Sequence, residues 1–465
     1  MRPTAPQRLP GGLCTDLYEI RMAASYLRRG MTAPATFSLF VRRLPRDRGF
    51  LVTAGLESCL ALLSDLAFHP DDLAYLEGEL GFPAEDVEAL GRLRFTGDVR
   101  AVPEGTVAFA GEPLLEVTAP LPEAQLVETM LLNQVTFATT IASKAARCRL
   151  AAPDATLVDF GARRTQGLEA ALTVARSSAI AGFDATSYVH AARELGLSAA
   201  GTMAHSYVQA FPSELEAFRA FAQDFPRQTV FLVDTYSTPA GISHAVQVAE
   251  ELGLPPARVG VRLDSGDLGE EARTARRMLD AAGLGDAWIM ASGGLDEYSI
   301  AELVAQRAPI DGYGVGTRMG VSWDAPALDS AYKLVSVDGR PVMKLSTGKV
   351  TAPGAKQVYR SWERNSDVLA LADEPPPAPA LEPLLQPAMR AGRPTVHDGG
   401  PAAARERLRR DLERMPPSAR RLRAPTPRRV TWSRALHELT GRLSRQLALA
   451  AGRAPAQPVP ATEEE

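Results

Sequence analysis

VFLVDTYS (230–237), VGVRLDSGDL (259–268), AWIMASGGLDE (287–297) and DGYGVGT (311–317) share one build, an apolar run closed by a small or charged cluster. LVDFGARR (157–164) and AAGTMAHS (199–206) extend the series upstream, so the pattern occurs six times between Leu157 and Thr317. Ala- and Glu-rich, helix-like stretches lie between the runs. Parallel strands that alternate with helices place all their carboxyl ends at one mouth, where barrel enzymes hold their chemistry. The expected fold is therefore α/β: an irregular (β/α) barrel, with a smaller α/β domain built from both chain ends.

Composition narrows the class. The chain has 465 residues, a net charge of -4 and three cysteines, Cys14, Cys59 and Cys148, none in a CxxC pair. This balance gives no reason to expect nucleic acid as a partner. The cysteines suit a reduced cytoplasm rather than a disulfide framework. The start MRPTAPQRLPGG lacks the apolar core of a signal peptide, and no apolar run approaches the ~18 residues of a membrane span. Only five of the 51 basic residues are lysine, and Lys333, Lys344, Lys349 and Lys356 fall close together. Either they cluster by chance or packing need, or they offer compact ammonium groups to phosphate.

Residues 1–14 are expected to be disordered, and 15–120 to form the N-terminal part of the α/β domain. The catalytic barrel follows over 121–328, then a return to the α/β domain over 329–372. A linker and C-terminal helices fill 373–453, with a disordered tail over 454–465. Within this scheme 95–120 reads as strands, 124–152 as a long amphipathic helix, and 332–346 as a hairpin turning at Asp338-Gly339. The Pro- and Gly-rich stretch 374–400 reads as irregular linker.

The strand ends carry the candidate chemistry. GYGVGT (312–317) and ASGG (291–294) are adjacent glycine turns whose backbone N–H groups suit a phosphate, with Ser292, Gly293, Gly294, Gly314, Gly316 and Thr317 as its contacts. RLDSGDL puts Arg262, Asp264 and Asp267 at one strand end, fit for sugar hydroxyls or for Mg²⁺ carried on phosphates. DFGARR adds Arg163 and Arg164 for a carboxylate or phosphate. Asp234 in VDTY is open to a structural or a catalytic role. Of the six histidines only His205 falls at an expected strand end among small residues. General base, ligand, nucleophile or a satisfied structural group are all open to it.

Taken in order, TDLY (15–18), FSLFVR (37–42), AGLE (54–57), DFGARR (159–164), GTMAHS (201–206), DTY (234–236), RLDSGD (262–267), SGGLDE (292–297), GVGT (314–317), YKL (332–334), KLS (344–346) and PGAKQVYR (353–360) resemble nicotinate phosphoribosyltransferase. The resemblance runs from Thr15 to about Arg360 and is weaker in the C-terminal helices. It implies a type II phosphoribosyltransferase in which nicotinate attacks C1 of phosphoribosyl pyrophosphate, giving nicotinate mononucleotide and pyrophosphate. It further implies ATP as co-substrate, hydrolysed through a phosphohistidine at His205, and Mg²⁺ bound through substrate phosphates with no direct protein cage. A homodimer with shared active sites follows, with Tyr18 reaching the pyridine ring across the interface and Phe160 stacking on the ring's other face. Arg163 is implied near the base or phosphate, Arg262 at the nicotinate carboxylate, and Thr202 in the base pocket. Asp264 is implied at the ribose hydroxyls, and Gly293, Gly294, Gly316 and Thr317 at the 5′-phosphate.

Two departures inform substrate choice. Related nicotinamide enzymes carry an Asp after the Thr of a GTDT segment, where DATSYV (184–189) here has Ser187, which favours an anionic base. The family's usual TSN reads Thr186-Ser187-Tyr188, and three cysteines exclude the four-cysteine metal site of some relatives. The alternatives are a nicotinamide or quinolinate phosphoribosyltransferase, disfavoured by Ser187 and GTMAHS respectively, and a non-catalytic phosphosugar-binding regulatory protein.

Overall fold

A computed structural model describes residues 11–345, 351–378, 381–395 and 399–451. The expected disorder at 1–10 and 454–465, together with Lys349 and His397, lies outside the described residues. The chain divides into two compact units, one of 1–140 and 327–465, the other of 141–326.

The second unit holds the strand series. Its seven-stranded sheet follows the order Ser198–Ala199, Ala185–Thr186, Thr156–Asp159, Gly312–Val315, Trp288–Ala291, Val259–Leu263, Thr229–Leu232, and every adjacent pair is parallel. Parallel strands are covered on both faces, which explains runs that are apolar rather than alternating. Val230, Phe231, Val261, Leu263, Ile289 and Val315 are all buried. Three helices between the strands start on side-chain caps, Glu214–Asp224 on Ser213 among them. Asp267 accepts from the N–H groups of Gly269 and Glu270 and begins Leu268–Ala281. Asp296 does the same for Tyr298 and Ser299 and begins Glu297–Ala305. Asp267, read from its motif as a sugar or Mg²⁺ contact, serves here as a helix cap.

The series has seven strands where the sequence reading has six. Ala185–Thr186 is the addition, a two-residue strand held by its pairing with Val158 and Asp159. Of AAGTMAHS only Ala199 is strand, as the end of Ser198–Ala199, and His205 begins the short helix His205–Gln209.

The first unit draws on three regions of the chain. Pro34–Val41 pairs antiparallel with Pro113–Pro120 on one side and Ser330–Val337 on the other. Asp98–Ala101 and Gln386–Arg390 extend the same sheet. The stretch 374–400 is therefore not simply a linker, because it supplies strands to two sheets, Gln386–Arg390 here and Glu382–Pro383 beside Lys356–Ser361. Residues 11–14 already belong to this unit, since the Gly12 N–H donates to Ala67 O at 2.8 Å and Leu13 packs on the core. The hairpin turns at Asp338 (φ 49°) and Gly339 (φ 69°), two left-handed residues in succession, the geometry that matches strand twist.

Lysine retention finds a structural reason. Lys356 is buried, and its Nζ donates to Gly354 O at 2.7 Å and Ala352 O at 3.2 Å beside Glu116 at 3.5 Å. Three rotatable donors on a point charge reach these acceptors as a planar guanidinium fork cannot. It is not a phosphate ligand.

Candidate active site

Thirteen of the fourteen candidate residues lie at or just beyond the carboxyl ends of the barrel strands, and direct contacts join most of them. Arg262 is the hub. Its Nη1 donates to Thr202 Oγ1 at 2.7 Å and Met203 O at 3.2 Å, and its Nη2 lies 3.5 Å from Asp264 Oδ1. The guanidinium sits 5.8 Å from the centroid of the Phe160 ring. Burial pulls its pKa below the ordinary value, the carboxylates of Asp264 and Asp234 oppose that shift, and Arg163 adds to it. A half-desolvated cation over an aromatic face is held for a partner that brings negative charge.

Phe160 is placed by its backbone and by a glycine. Its N–H donates to Val315 O at 2.9 Å, and its ring lies across Gly314, where a Cβ would meet ring carbons at 2.5 Å. Gly314 therefore acts by making room for the ring. Gly293 serves Asp264 in the same way: it has φ 93°, and a Cβ there would meet Asp264 O at 2.1 Å. The Asp264 carboxylate accepts a short hydrogen bond from Ser292 Oγ, and the buried Ser292 N–H donates to Leu263 O at 2.8 Å. Gly294, Gly316 and Thr317 follow at the ends of the sixth and seventh strands in chain order, and Thr317 begins the short helix Thr317–Gly320.

His205 Nδ1 lies 3.2 Å from Thr235 Oγ1, which steadies the ring from the neighbouring loop. Asp234 ties loops together: its Oδ2 accepts from the Asp264 N–H at 3.0 Å and Ser265 Oγ at 2.6 Å. Its Oδ1 is buried with no hydrogen-bond partner. Ser187 is half-buried, and its N–H donates to Asp159 O at 2.8 Å. Arg163 is exposed on the 3₁₀ turn Ala162–Arg164. Tyr18 is carried by the first unit, on the helix Leu17–Arg28. It is about half exposed there, and burial of the rest together with Glu128 and Glu19 pushes its phenol pKa up.

Three supporting residues escaped the sequence reading. Asp159 is buried and accepts from Thr186 Oγ1 and the Gly161 N–H, each at 2.8 Å, so it locks the first two strand ends together, and burial raises its pKa. Its signal was an acid ending an apolar run, the same signal that marked Asp234. Thr235 lay unremarked inside VDTY. Lys144, on the helix Glu128–Ala151, is the third. Its Nζ lies 2.6 Å from both Glu297 Oε2 and Asp324 Oδ1, while Arg147 Nε lies 2.7 Å from Glu297 Oε1. Arg318 Nη1 meets Asp296 Oδ2 at 2.9 Å and joins the segments after the two glycine turns. These ion pairs clamp the candidate phosphate loops from behind.

Comparisons with known proteins agree on one family. The model of the nicotinate phosphoribosyltransferase N-terminal domain matches residues 13–136, and that of the nicotinate phosphoribosyltransferase family matches 155–359. The chain is 48% identical over 417 residues to nicotinate phosphoribosyltransferase pncB2 of Mycobacterium tuberculosis, covering 89% of each chain. It is 45% identical over 375 residues to the nicotinate phosphoribosyltransferase of Bacillus subtilis, covering 78% of this chain and 76% of that one. The crystal structure of human nicotinic acid phosphoribosyltransferase superposes with a TM-score of 0.83 at 32% identity, covering 92% of this chain and 99% of that one.

Proposed function

We propose that this chain, which belongs to the nicotinate phosphoribosyltransferase family, joins nicotinate to C1 of phosphoribosyl pyrophosphate, releasing pyrophosphate and forming nicotinate mononucleotide for NAD salvage. The observation that carries the reading is Arg262, a partly buried cation laid over Phe160 and flanked by Asp264. A planar aromatic carboxylate fits that arrangement, its ring against Phe160 and its charge toward Arg262, with Arg163 adding positive potential and Thr202 and Ser187 lining the base pocket. Asp264 then stands beside the sugar, where it accepts hydrogen bonds from ribose hydroxyls and stabilises positive charge developing at C1. Ser292, Gly293, Gly294, Gly314, Gly316 and Thr317 form the turns that take the phosphate.

ATP hydrolysis is coupled through His205, whose ring is steadied by Thr235 for transfer of the γ-phosphoryl group. Mg²⁺, carried on substrate phosphates, would neutralise charge on the leaving pyrophosphate. Asp234 Oδ1, buried and unbonded, is the acceptor that suits the ion's water shell. Tyr18 completes the base site of the partner subunit in a homodimer. Three scattered cysteines with no CxxC pair fit a reducing cytoplasm, and among the described residues no helix is long and apolar enough to cross a membrane.

A steady-state assay with nicotinate, nicotinamide and quinolinate, each with and without ATP, tests the reading. Pyrophosphate release with nicotinate, stimulated by ATP, is expected, and no release with any base refutes it. His205→Ala abolishes ATP hydrolysis and the stimulation while slow synthesis persists. Full ATPase activity in that variant rules out the phosphohistidine.

A further inference from the structure

Two routes of contact join His205 to the strand end that carries Arg262 and Asp264. Upstream of the histidine, Thr202 Oγ1 and the carbonyl of buried Met203 accept from Arg262 Nη1 at 2.7 and 3.2 Å. On its other side Thr235 Oγ1 lies 3.2 Å from His205 Nδ1. The residue before it, Asp234, accepts from the Asp264 N–H at 3.0 Å and from Ser265 Oγ at 2.6 Å. The routes close a circuit, because Arg262 lies in the strand Val259–Leu263 and Asp264 directly follows it.

The circuit has a rigid side and a yielding side. Val259–Leu263 is paired with a strand on each flank. In the stretch 204–210 only Val208 is buried, and Ala204, Ser206, Gln209 and Ala210 are exposed. Two acceptors on Nη1 fix the turn of the Arg262 guanidinium. They leave Nε, buried and unpaired, beside Nη2 as the edge that a carboxylate takes with two parallel hydrogen bonds. Movement of the His205 segment changes the acceptors that set this edge. It also changes the contact with Thr235, next to the carboxylate that holds the Asp264 backbone, while the strand itself stays in place. A phosphoryl group brings about two negative charges and strong acceptor oxygens to that segment, against ties each worth about fivefold in an equilibrium.

We propose that the hydroxyls of Thr202 and Thr235 are positioning groups that pass the phosphorylation state of His205 to the two substrates. Thr202 acts on nicotinate through Arg262, and Thr235 acts on phosphoribosyl pyrophosphate through Asp234 and Asp264. This rests on the phosphohistidine reading above, in which the γ-phosphoryl passes from ATP to the imidazole, leaving ADP, and then to water, leaving phosphate.

KM values for both substrates, measured on the full chain with and without ATP, test it. In the wild type ATP is expected to lower both. Thr202→Val should cut the ATP effect on nicotinate about fivefold and keep that on phosphoribosyl pyrophosphate, and Thr235→Val should do the reverse. Each should raise the ADP formed per mononucleotide, and Thr202→Ser and Thr235→Ser should restore the wild-type values. General loosening of the fold would move both KM values together. Alanine variants decide the matter where a valine variant lacks a wild-type melting curve. Wild-type ATP effects in both valine variants, or equal loss for both substrates in each, overturn the proposal. His205→Ala separates the two readings. If it keeps the ATP effect, the phosphohistidine and the circuit both fall; if it loses the effect while the valine variants keep it, the circuit alone falls.

Discussion

Gly314→Ala is the sharpest test of how the barrel mouth is assembled. The added methyl would lie 2.5 Å from Cδ2 and Cε2 of Phe160 and 2.9 Å from Cε of Met290. Carbon atoms rest at about 3.5–4.0 Å, so the ring must retreat by roughly 1 Å. The Phe160 backbone is tied to Val315 O, so the movement falls on the side chain. Overpacking of this kind costs about 1–3 kcal/mol, and a unit of this size loses about 2–4 °C of melting temperature per kcal/mol. The guanidinium of Arg262 sits 5.8 Å from the ring centroid, near the ~6 Å limit of a cation–π contact. Retreat ends that contact and removes the ring from the base, so kcat/KM for nicotinate should fall by roughly 3- to 30-fold. A double-mutant cycle with Phe160→Ala isolates the cause. With the ring gone, Gly314→Ala should cost almost nothing, which gives a coupling of about 1–3 kcal/mol. Additive losses of stability would refute the idea that Gly314 exists to seat the ring.

Three further outcomes follow from the same contacts. Lys144→Met removes the cation shared by Glu297 and Asp324 while Arg147 stays on Glu297, which should destabilise the barrel by about 1–3 kcal/mol; KM for phosphoribosyl pyrophosphate should rise more than KM for nicotinate, and equal rises would count against the clamp. Burial pushes Glu19 up to about 7, with hydrogen bonds from Thr129 and Tyr18 opposing the shift. A folded pKa above the unfolded ~4.3 means its stability contribution is full below that pH and is lost as pH rises toward 7; urea midpoints between those limits should decline in the wild type, and an equal decline in Glu19→Gln would clear Glu19 of responsibility. Ser187→Asp puts a carboxylate in the base pocket, so nicotinate KM should rise and nicotinamide turnover appear; unchanged nicotinate kinetics with no gain on nicotinamide would sink the role given to Ser187.

Apolar runs and the small residues after them made the barrel legible, because a parallel strand buried on both faces writes itself as a block of Val, Ile and Leu. Ala185–Thr186 could not be seen that way. It is two residues long, and its strand geometry comes from pairing with Val158 and Asp159 rather than from its own side chains. The same limit hid Gln386–Arg390, which sits inside the Pro- and Gly-rich stretch 374–400 and whose partner, Asp98–Ala101, lies far away in sequence. Among the candidate site residues, those of unusual chemical type after an apolar or small-residue run stood out in the sequence: Arg262, Asp264, His205. Asp267 shared that signature and proved to be a helix cap, since a carboxylate before a helix and a carboxylate beside a sugar look alike in a one-dimensional string. Lys144 and Asp159 were missed because their meaning lies in partners brought together by folding.

The order of the barrel strands has a kinetic corollary. The ladder ends at Ser198–Ala199 on one side and Thr229–Leu232 on the other, and His205 lies on the chain that runs between those two edges. Phe160, Arg262, Asp264 and the two glycine turns grow from strands paired on both sides, so displacing them means breaking ladder hydrogen bonds. The His205 segment is anchored by lighter ties, among them the contact with Thr235, of a kind worth about 1 kcal/mol. Its amides should therefore exchange with solvent faster than those around Arg262, through opening events that leave the sheet intact. The proposed phosphohistidine role would gain from this seam, because His205 could change position while the residues on the doubly paired strands stay fixed.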